Sequence, residues 1–195
     1  MNFGLTVNDF IGEINLDLSD ANVRVNFLAI ADNVIYDTLN DLLNATLYNY
    51  LINDLSAGIP VTQKYTDLVS GVTYTKLNLE VYNYEGIKRM LKYFIYDSYL
   101  EDQQTYNTAI GQAMGMNENS VILSRSDLRK RRAKIQNKAV KLYAQCVEFI
   151  NNKYATYFTG SEYYYWHPKK KKFIGKIISS TYSNSYFYNR SSEGN

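Results

Sequence analysis

Chemistry in this chain would have to come from very few side chains. Of 195 residues one is cysteine and one is histidine. Cys146 cannot close a disulfide within the chain, and a zinc site of the usual Cys/His type lacks its ligands. Cys146 also falls on the apolar stripe of a predicted helix, where cysteine behaves as a small core residue. His167 stands beside Pro168 and ahead of the run Lys169–Lys172, which places it at an exposed tail position rather than in a catalytic triad. The carboxylate pairs Glu101/Asp102 and Asp37/Asp41 lie on helix faces where solvation is the ordinary reason for them. Gly86, Gly111, Gly115 and Gly160 fit neither GxGxxG nor GxxxxGK[ST], and no serine sits in a G-x-S-x-G elbow. The expectation is a protein that is not an enzyme and uses no cofactor and no metal.

Binding chemistry has more candidates. Arg125, Arg129, Lys130, Arg131, Arg132, Lys134, Lys138 and Lys141 share the polar side of one predicted helix. The consecutive cations Arg129–Arg132 near its start oppose the helix dipole at roughly a few tenths of a kcal/mol each, so something else must gain from them. Three readings stand: a solvated face, neutralisation of DNA phosphates, or contact with an acidic neighbouring subunit. Farther on, Tyr163, Tyr164, Tyr165 and Trp166 precede the lysine run, and Phe173, Ile174, Tyr186 and Tyr188 follow it. Aromatics beside cations can stack on single-stranded bases, but Tyr and Trp equally anchor protein interfaces. The interface reading is preferred.

Composition and charge set the frame for these candidates. Hydrophobic residues at 46% and charged residues at 21% are globular values, and the unusual count is 20 tyrosines. Tyrosine suits surfaces that must be buried against a partner yet stay in water alone. The net charge of +2 conceals a division. Residues 1–84 hold three basic residues against ten acidic, a balance of −7, and residues 85–195 hold eighteen against nine, a balance of +9. Such a chain suits head-to-tail packing of identical subunits. No apolar stretch approaches about 18 residues and no apolar run follows a basic start, so the expectation is neither a secreted nor a membrane protein. The sequons at Asn44 and Asn189 then carry no glycan.

The elements that must position these residues read mainly as helix. Ile87, Met90, Leu91, Phe94 and Ile95 fall at i, i+3, i+4, i+7 and i+8, and Tyr93, Tyr96 and Tyr99 widen that stripe. A helix apolar on most sides must be surrounded, so residues 85–100 are expected at the centre. A short amphipathic piece around Phe10, Ile11 and Ile14 can be capped by Thr6 or Asn8. Ser19-Asp20 offers an N-cap for an apolar repeat from Val23 to Leu51, read as two helices broken near residues 37–40 and stopped by Gly58 and Pro60. Residues 65–71 read as one helical turn ended by Gly71. Val72–Thr75 and Leu77–Tyr82 alternate as a hairpin. Residues 105–120, with Gly111 and Gly115, have loop composition. Ser124 or Ser126 caps a long helix with the stripe Leu128, Ile135, Ala139, Leu142, Cys146, Phe149, Ile150 and Tyr157. Residues 179–195 are Ser, Asn and Tyr with almost no aliphatic side chain, so order there has to come from a partner. The expected fold is mainly α: a helical bundle around a central helix, with a small β-hairpin at about 72–82, a long C-terminal helix and an extended aromatic and basic tail. The division is a core over 1–158 and an arm over 159–195.

The order of these elements resembles one known family. Two N-terminal helices, the turn Tyr65-x-Asp67-Leu68-Val69-x-Gly71, a hairpin, a helix opening Tyr84-Glu85-Gly86-Ile87-Lys88, a loop with Thr108-x-x-Gly111 and a long helix resemble the head–tail connector (adaptor) proteins of tailed bacteriophages, above all those of phages with Bacteroidetes hosts. The likeness covers about residues 5–158. Many of those proteins have Trp at the position of Tyr65 and Leu at that of Ile87. The resemblance implies a structural virion protein of the neck, made in the host cytoplasm. It implies a homo-oligomeric ring, usually twelve-fold, that binds the portal protein, extends the DNA channel and docks the next tail or ring protein. The loop 105–120 and the tail 160–195 are then the expected contact regions. The alternative is a DNA-binding module using the basic helix 125–141 and Lys169–Lys172.

Overall fold

A computed structural model describes residues 3–10, 14, 21–76, 79–103, 106–108, 111–113, 125–153, 156–158, 160 and 166–169, with backbone alone at 103, 106–108, 111–113 and 125–128. Its centre is α3 (Gly86–Gln103), which packs against α4 (Arg125–Lys153), α1 (Ala21–Asn53) and α2 (Gln63–Ser70). Ile87, Met90, Leu91 and Ile95 are fully buried, and Tyr96 and Tyr99 nearly so. Each such aliphatic side chain contributes about 1.5–3 kcal/mol of burial before chain entropy is subtracted. Phe94 and Tyr93 are only partly buried, so the stripe is tilted toward the two tyrosines. The fold is mainly α around a central helix, as the periodicity predicts.

The N-terminal turn and α1 show what local side chains decide. A 3-10 turn over Val7–Phe10 is fastened by Asp9, whose Oδ2 accepts from the Thr6 amide at 2.8 Å and the Thr6 hydroxyl at 2.9 Å. Helix α1 is kinked at Asn44 (φ 55°, ψ 176°), not near residues 37–40. Leu39, Leu42, Leu43, Leu47 and Leu51 keep helical spacing straight through the break, so periodicity carries no sign of it. The cause is local. Asn44 Oδ1 accepts from the amides of Thr46 at 3.0 Å and Leu47 at 3.2 Å, which is N-cap geometry for a new helix. The bend lets Tyr36 and Tyr48 meet edge to face at 6.1 Å, although twelve residues of straight helix would separate their Cα atoms by about 18 Å. The predicted cap at Ser19-Asp20 lies outside the described residues.

Short ribbons connect the helices. After α1, β1 (Leu55–Ser56) pairs with β2 (Ile59–Pro60) through Ala57 and Gly58, both at positive φ, a two-residue hairpin turn that the sequence reading missed. β3 (Val72–Thr75) and β4 (Val81–Tyr84) form the expected hairpin, but its second strand starts at Val81 rather than Leu77. The Lys76 amide donates to the Glu80 carbonyl at 2.9 Å and closes the turn there. Inside the stretch read as loop, β5 (Tyr106–Thr108) pairs with β6 (Gly111–Ala113). Its glycine misled the composition argument, since Gly marks a tight turn as readily as a loop. Helix α4 begins at Arg125, so Ser126 is inside it and is not its cap.

Two glycines from the quoted motifs touch one another. Gly71 (φ 91°) closes α2 and Gly86 (φ 81°) opens α3. A Cβ on Gly86 would stand 2.6 Å from backbone atoms of Val69, Ser70 and Gly71, and one on Gly71 would stand 2.5 Å from the Tyr84 carbonyl oxygen. Two backbones therefore cross where only hydrogen fits. These two motif glycines are thus a joint of the fold.

Candidate functional site

The aromatic arm divides at Trp166. Tyr163, Tyr164, Tyr165, Phe173, Ile174, Tyr186 and Tyr188 lie outside the described residues. Trp166 does not face outward as an interface anchor; it is 6% exposed and its indole N–H donates to the Leu42 carbonyl at 2.7 Å. That is a correction with a backbone cause. The kink at Asn44 turns the next amides toward the Asn44 side chain, so carbonyls in the last turn before it need other donors. The arm supplies them. The Lys169 amide donates to the Asp41 carbonyl at 2.7 Å, and the Tyr143 hydroxyl of α4 shares its proton between the Asp41 carbonyl at 2.9 Å and the Lys169 carbonyl at 2.8 Å. Lys169 Nζ pairs with Asp41 Oδ1 at 2.8 Å, which raises the lysine pKa through that hydrogen bond and the carboxylate charge. The side chain of Lys169 is 75% exposed, so the pair adds little beyond orientation, though a cation suits a helix C-terminal end. His167, next to this anchor, is exposed as expected. Part of the predicted arm is therefore core, and the boundary at 158/159 does not separate it from the helices.

The basic face of α4 sorts into used and unused cations. Arg132 is used: its Nε meets Asp97 at 3.1 Å and its terminal nitrogen meets Glu101 at 3.0 Å, while Gln136 donates to the same Asp97 at 2.7 Å. Burial disfavours its charge, but the hydrogen bond and charge of Asp97 outweigh that and its pKa is raised. Arg131 donates to the Tyr96 hydroxyl at 2.6 Å and lies 5.8 Å from that ring. Lys138 approaches Glu85 at 3.7 Å, and Glu85 also binds Arg89. Arg129, Lys130, Lys134 and Lys141 are exposed. Among the described residues no hydrogen bond or ion pair engages Arg129, Lys134 or Lys141. Arg125 has backbone alone described. About three turns of helix thus offer water a cationic row after α3 has taken its share.

The remaining motif residues are structural. Tyr84 stacks on Phe149 at 4.2 Å, donates to the Leu68 carbonyl at 2.8 Å and lies 3.3 Å from Cys146 Sγ. Burial pushes the Cys146 thiol up to about 12, so it is a protonated core group at neutral pH. Asp67 accepts from Gln63 at 2.6 Å and from Tyr157 at 2.7 Å. Among the described residues no three His, Cys, Asp or Glu side chains gather as metal ligands. No helix among them is long and apolar enough to cross a membrane.

A second surface, absent from the sequence reading by residue, lies on the outer side of α1. Val25, Tyr36 and Tyr50 are 69%, 59% and 42% exposed, and Asp32 and Asp37 on either side of Tyr36 are exposed as well. The signal was present in the acidic balance of residues 1–84, but helical spacing through an unseen kink hid which residues face out.

The comparisons with known proteins bear on the whole of this arrangement. No curated protein and no solved structure matches the chain. One family pattern does, over residues 39–167, from the turn before the kink of α1 to the histidine after the docked tryptophan. It therefore takes in both Leu42 and Trp166, along with α2, α3 and α4. The chain belongs to that family, DUF6712, a family of unknown function.

Proposed function

We propose that this chain is a structural protein of the neck of a tailed bacteriophage, one subunit of a ring between the portal and the tail that extends the DNA channel and docks the next component. The observation that carries this reading is the order of elements: a broken N-terminal helix, a short helix closed by Gly71, a hairpin, a central helix opened by Gly86, a second hairpin and a long helix. Apart from the second hairpin, which stands where a loop is expected, that order follows the one through which the sequence resembles connector proteins. The charge division supports it, because an exposed cationic row on α4 and exposed carboxylates on α1 suit repeated contacts between copies. The ring reading is tested by co-purification with the portal protein and electron microscopy. A closed ring on the portal is expected, and a chain that ignores the portal under all conditions overturns it.

A second reading, non-specific binding of channel DNA, draws on the exposed Arg129, Lys134 and Lys141. Arg131, Arg132 and Lys138 are already engaged within the chain, which leaves a smaller cationic row than the sequence suggests. Titration of a labelled duplex at several salt concentrations checks it. Binding through this row loses affinity steeply with salt, with a log–log slope of about −0.9 per phosphate contacted. No binding at low salt ends the idea.

A further inference from the structure

The bend of α1 and the segment Trp166–Lys169 engage backbone groups that a straight helix would pair with one another. In an unbroken helix the Thr46 amide donates to the Leu42 carbonyl, four residues back. Here the two have other partners: the Thr46 amide donates to Asn44 Oδ1 at 3.0 Å, and the Leu42 carbonyl accepts the indole N–H of Trp166 at 2.7 Å. One residue earlier, the Asp41 carbonyl takes the Lys169 amide at 2.7 Å and the Tyr143 hydroxyl at 2.9 Å. Asn44 itself, at φ 55° and ψ 176°, occupies a backbone region almost confined to glycine, a strained state that persists only where surrounding contacts enforce it. The apolar spacing does not demand the bend, since Leu39, Leu42, Leu43, Leu47 and Leu51 form one helical stripe through it.

We propose that Trp166–Lys169 is a latch on a two-state helix: docked, it holds α1 bent at Asn44, and withdrawn, it lets the Leu42 carbonyl and the Thr46 amide pair, so that Ala21–Asn53 becomes one straight helix. The two states exclude each other. Thr46 reaches Leu42 only when Asn44 gives up its present φ and ψ, and that rotation swings the Asp41 and Leu42 carbonyls relative to the helix after the bend. It also parts Tyr36 from Tyr48, which the bend holds 6.1 Å apart. Residues 170–195 continue directly from the latch, so a partner that holds them competes with docking. The inference stands apart from the ring reading, because it concerns a single chain and needs neither a portal nor a second copy.

Trp166 is the only tryptophan of the chain, so its fluorescence reports the latch alone. Asn44→Ala removes the oxygen that holds the Thr46 amide and puts a strong helix former where the bent backbone penalises it. Asn44→Gly removes the same oxygen but tolerates the bend and disfavours a straight helix. In the full chain without denaturant, Asn44→Ala is expected to red-shift the emission and raise acrylamide quenching severalfold, with no loss of helix signal in circular dichroism. Asn44→Gly is expected to stay close to the wild type. Equal protection of Trp166 in both variants, or equal release in both, overturns the latch. A second measurement decides on its own where Asn44→Ala loses helix. Spin labels at the exposed positions 25 and 49 (Val25→Cys and Asn49→Cys, in a Cys146→Ala background) lie about 36 Å apart along a straight helix and closer along a bent one. Trp166→Phe keeps an aromatic ring but loses the N–H, and is expected to add a population at the longer separation to the shorter one of the wild type. An unchanged distribution in Trp166→Phe overturns the proposal, as does a wild type already at the straight separation.

Discussion

Trp166–Lys169 and the Lys134–Lys141 row of α4 look alike in the sequence, each a cationic stretch expected to face a partner, yet they end in opposite conditions. The first is fastened to its own chain through the Leu42 and Asp41 carbonyls and the Tyr143 hydroxyl. The second stands in solvent. Charge does not separate them, because Lys169 is itself 75% exposed. What separates them is a supply of unpaired backbone carbonyls. The kink of α1 provides acceptors that must be satisfied, and an indole N–H and a backbone N–H can satisfy them where an ammonium gains nothing by being buried. Along α4 the backbone is fully used by the helix, so side chains there have only neighbouring side chains to bind.

The sharpest way to break this contrast is Trp166→Ala. It removes a buried aromatic group and leaves the Leu42 carbonyl without its donor, so a loss of about 3–5 kcal/mol is expected. Urea unfolding measures it. A loss under about 1 kcal/mol, the range of an ordinary surface substitution, contradicts the docked geometry.

Asn44→Ala acts on the other half of the same joint. It deletes the cap that holds the amides of Thr46 and Leu47 and places alanine at φ 55°, with an expected cost of about 1–2 kcal/mol. Asn44→Gly is the sharper comparison, since glycine accepts the angle and isolates the hydrogen bonds. It should recover part of the loss in the same unfolding assay.

Alkaline pH distinguishes the two regions as well. Burial, then the charge of Asp41, raises the pKa of the Tyr143 hydroxyl above its ordinary 10.0. A group whose folded value is raised contributes stability that is complete below the unfolded value and is lost as pH rises through the folded one. Wild-type stability should therefore decline above about pH 10, and Tyr143→Phe should decline less steeply over that range. Cys146, pushed up to about 12 from an ordinary value of 9.0, acts in the same direction from pH 9 onward. Thermal melts between pH 8 and 11 with Cys146→Ala as a second background separate the two, and equal slopes in all three proteins refute the assignment.

The sequence made the central helix legible because a buried helix writes its environment into its spacing, and Ile87, Met90, Leu91 and Ile95 lie where the stripe put them. The kink was hidden for the converse reason. Asn44 acts through one side-chain oxygen on two amides, and that leaves no periodic trace. The fate of Trp166 depended on the kink, so it was hidden too. Gly71 and Gly86 appeared as motif letters, but that they cross each other follows only from the close approach of two segments fifteen residues apart. The basic face was visible as a set, whereas its division between Arg132, bound to Asp97, and Lys134, exposed, depends on how α3 lies beside α4.

The smallest expected effect is the most informative about that division. Lys134→Ala/Lys141→Ala removes two exposed cations that no carboxylate among the described residues engages, so unfolding free energy should change by no more than about 0.5 kcal/mol. Arg132→Ala, two residues before Lys134 on the same helix, should instead cost about 1–3 kcal/mol, because Asp97, 9% exposed, is left with Gln136 as its remaining donor. Urea titrations of the two variants side by side compare a spent cation with a free one. If both are neutral, the Asp97 contact is not holding α3 to α4. If the double lysine variant is as costly as Arg132→Ala, its cations serve the monomer and are not available for another copy.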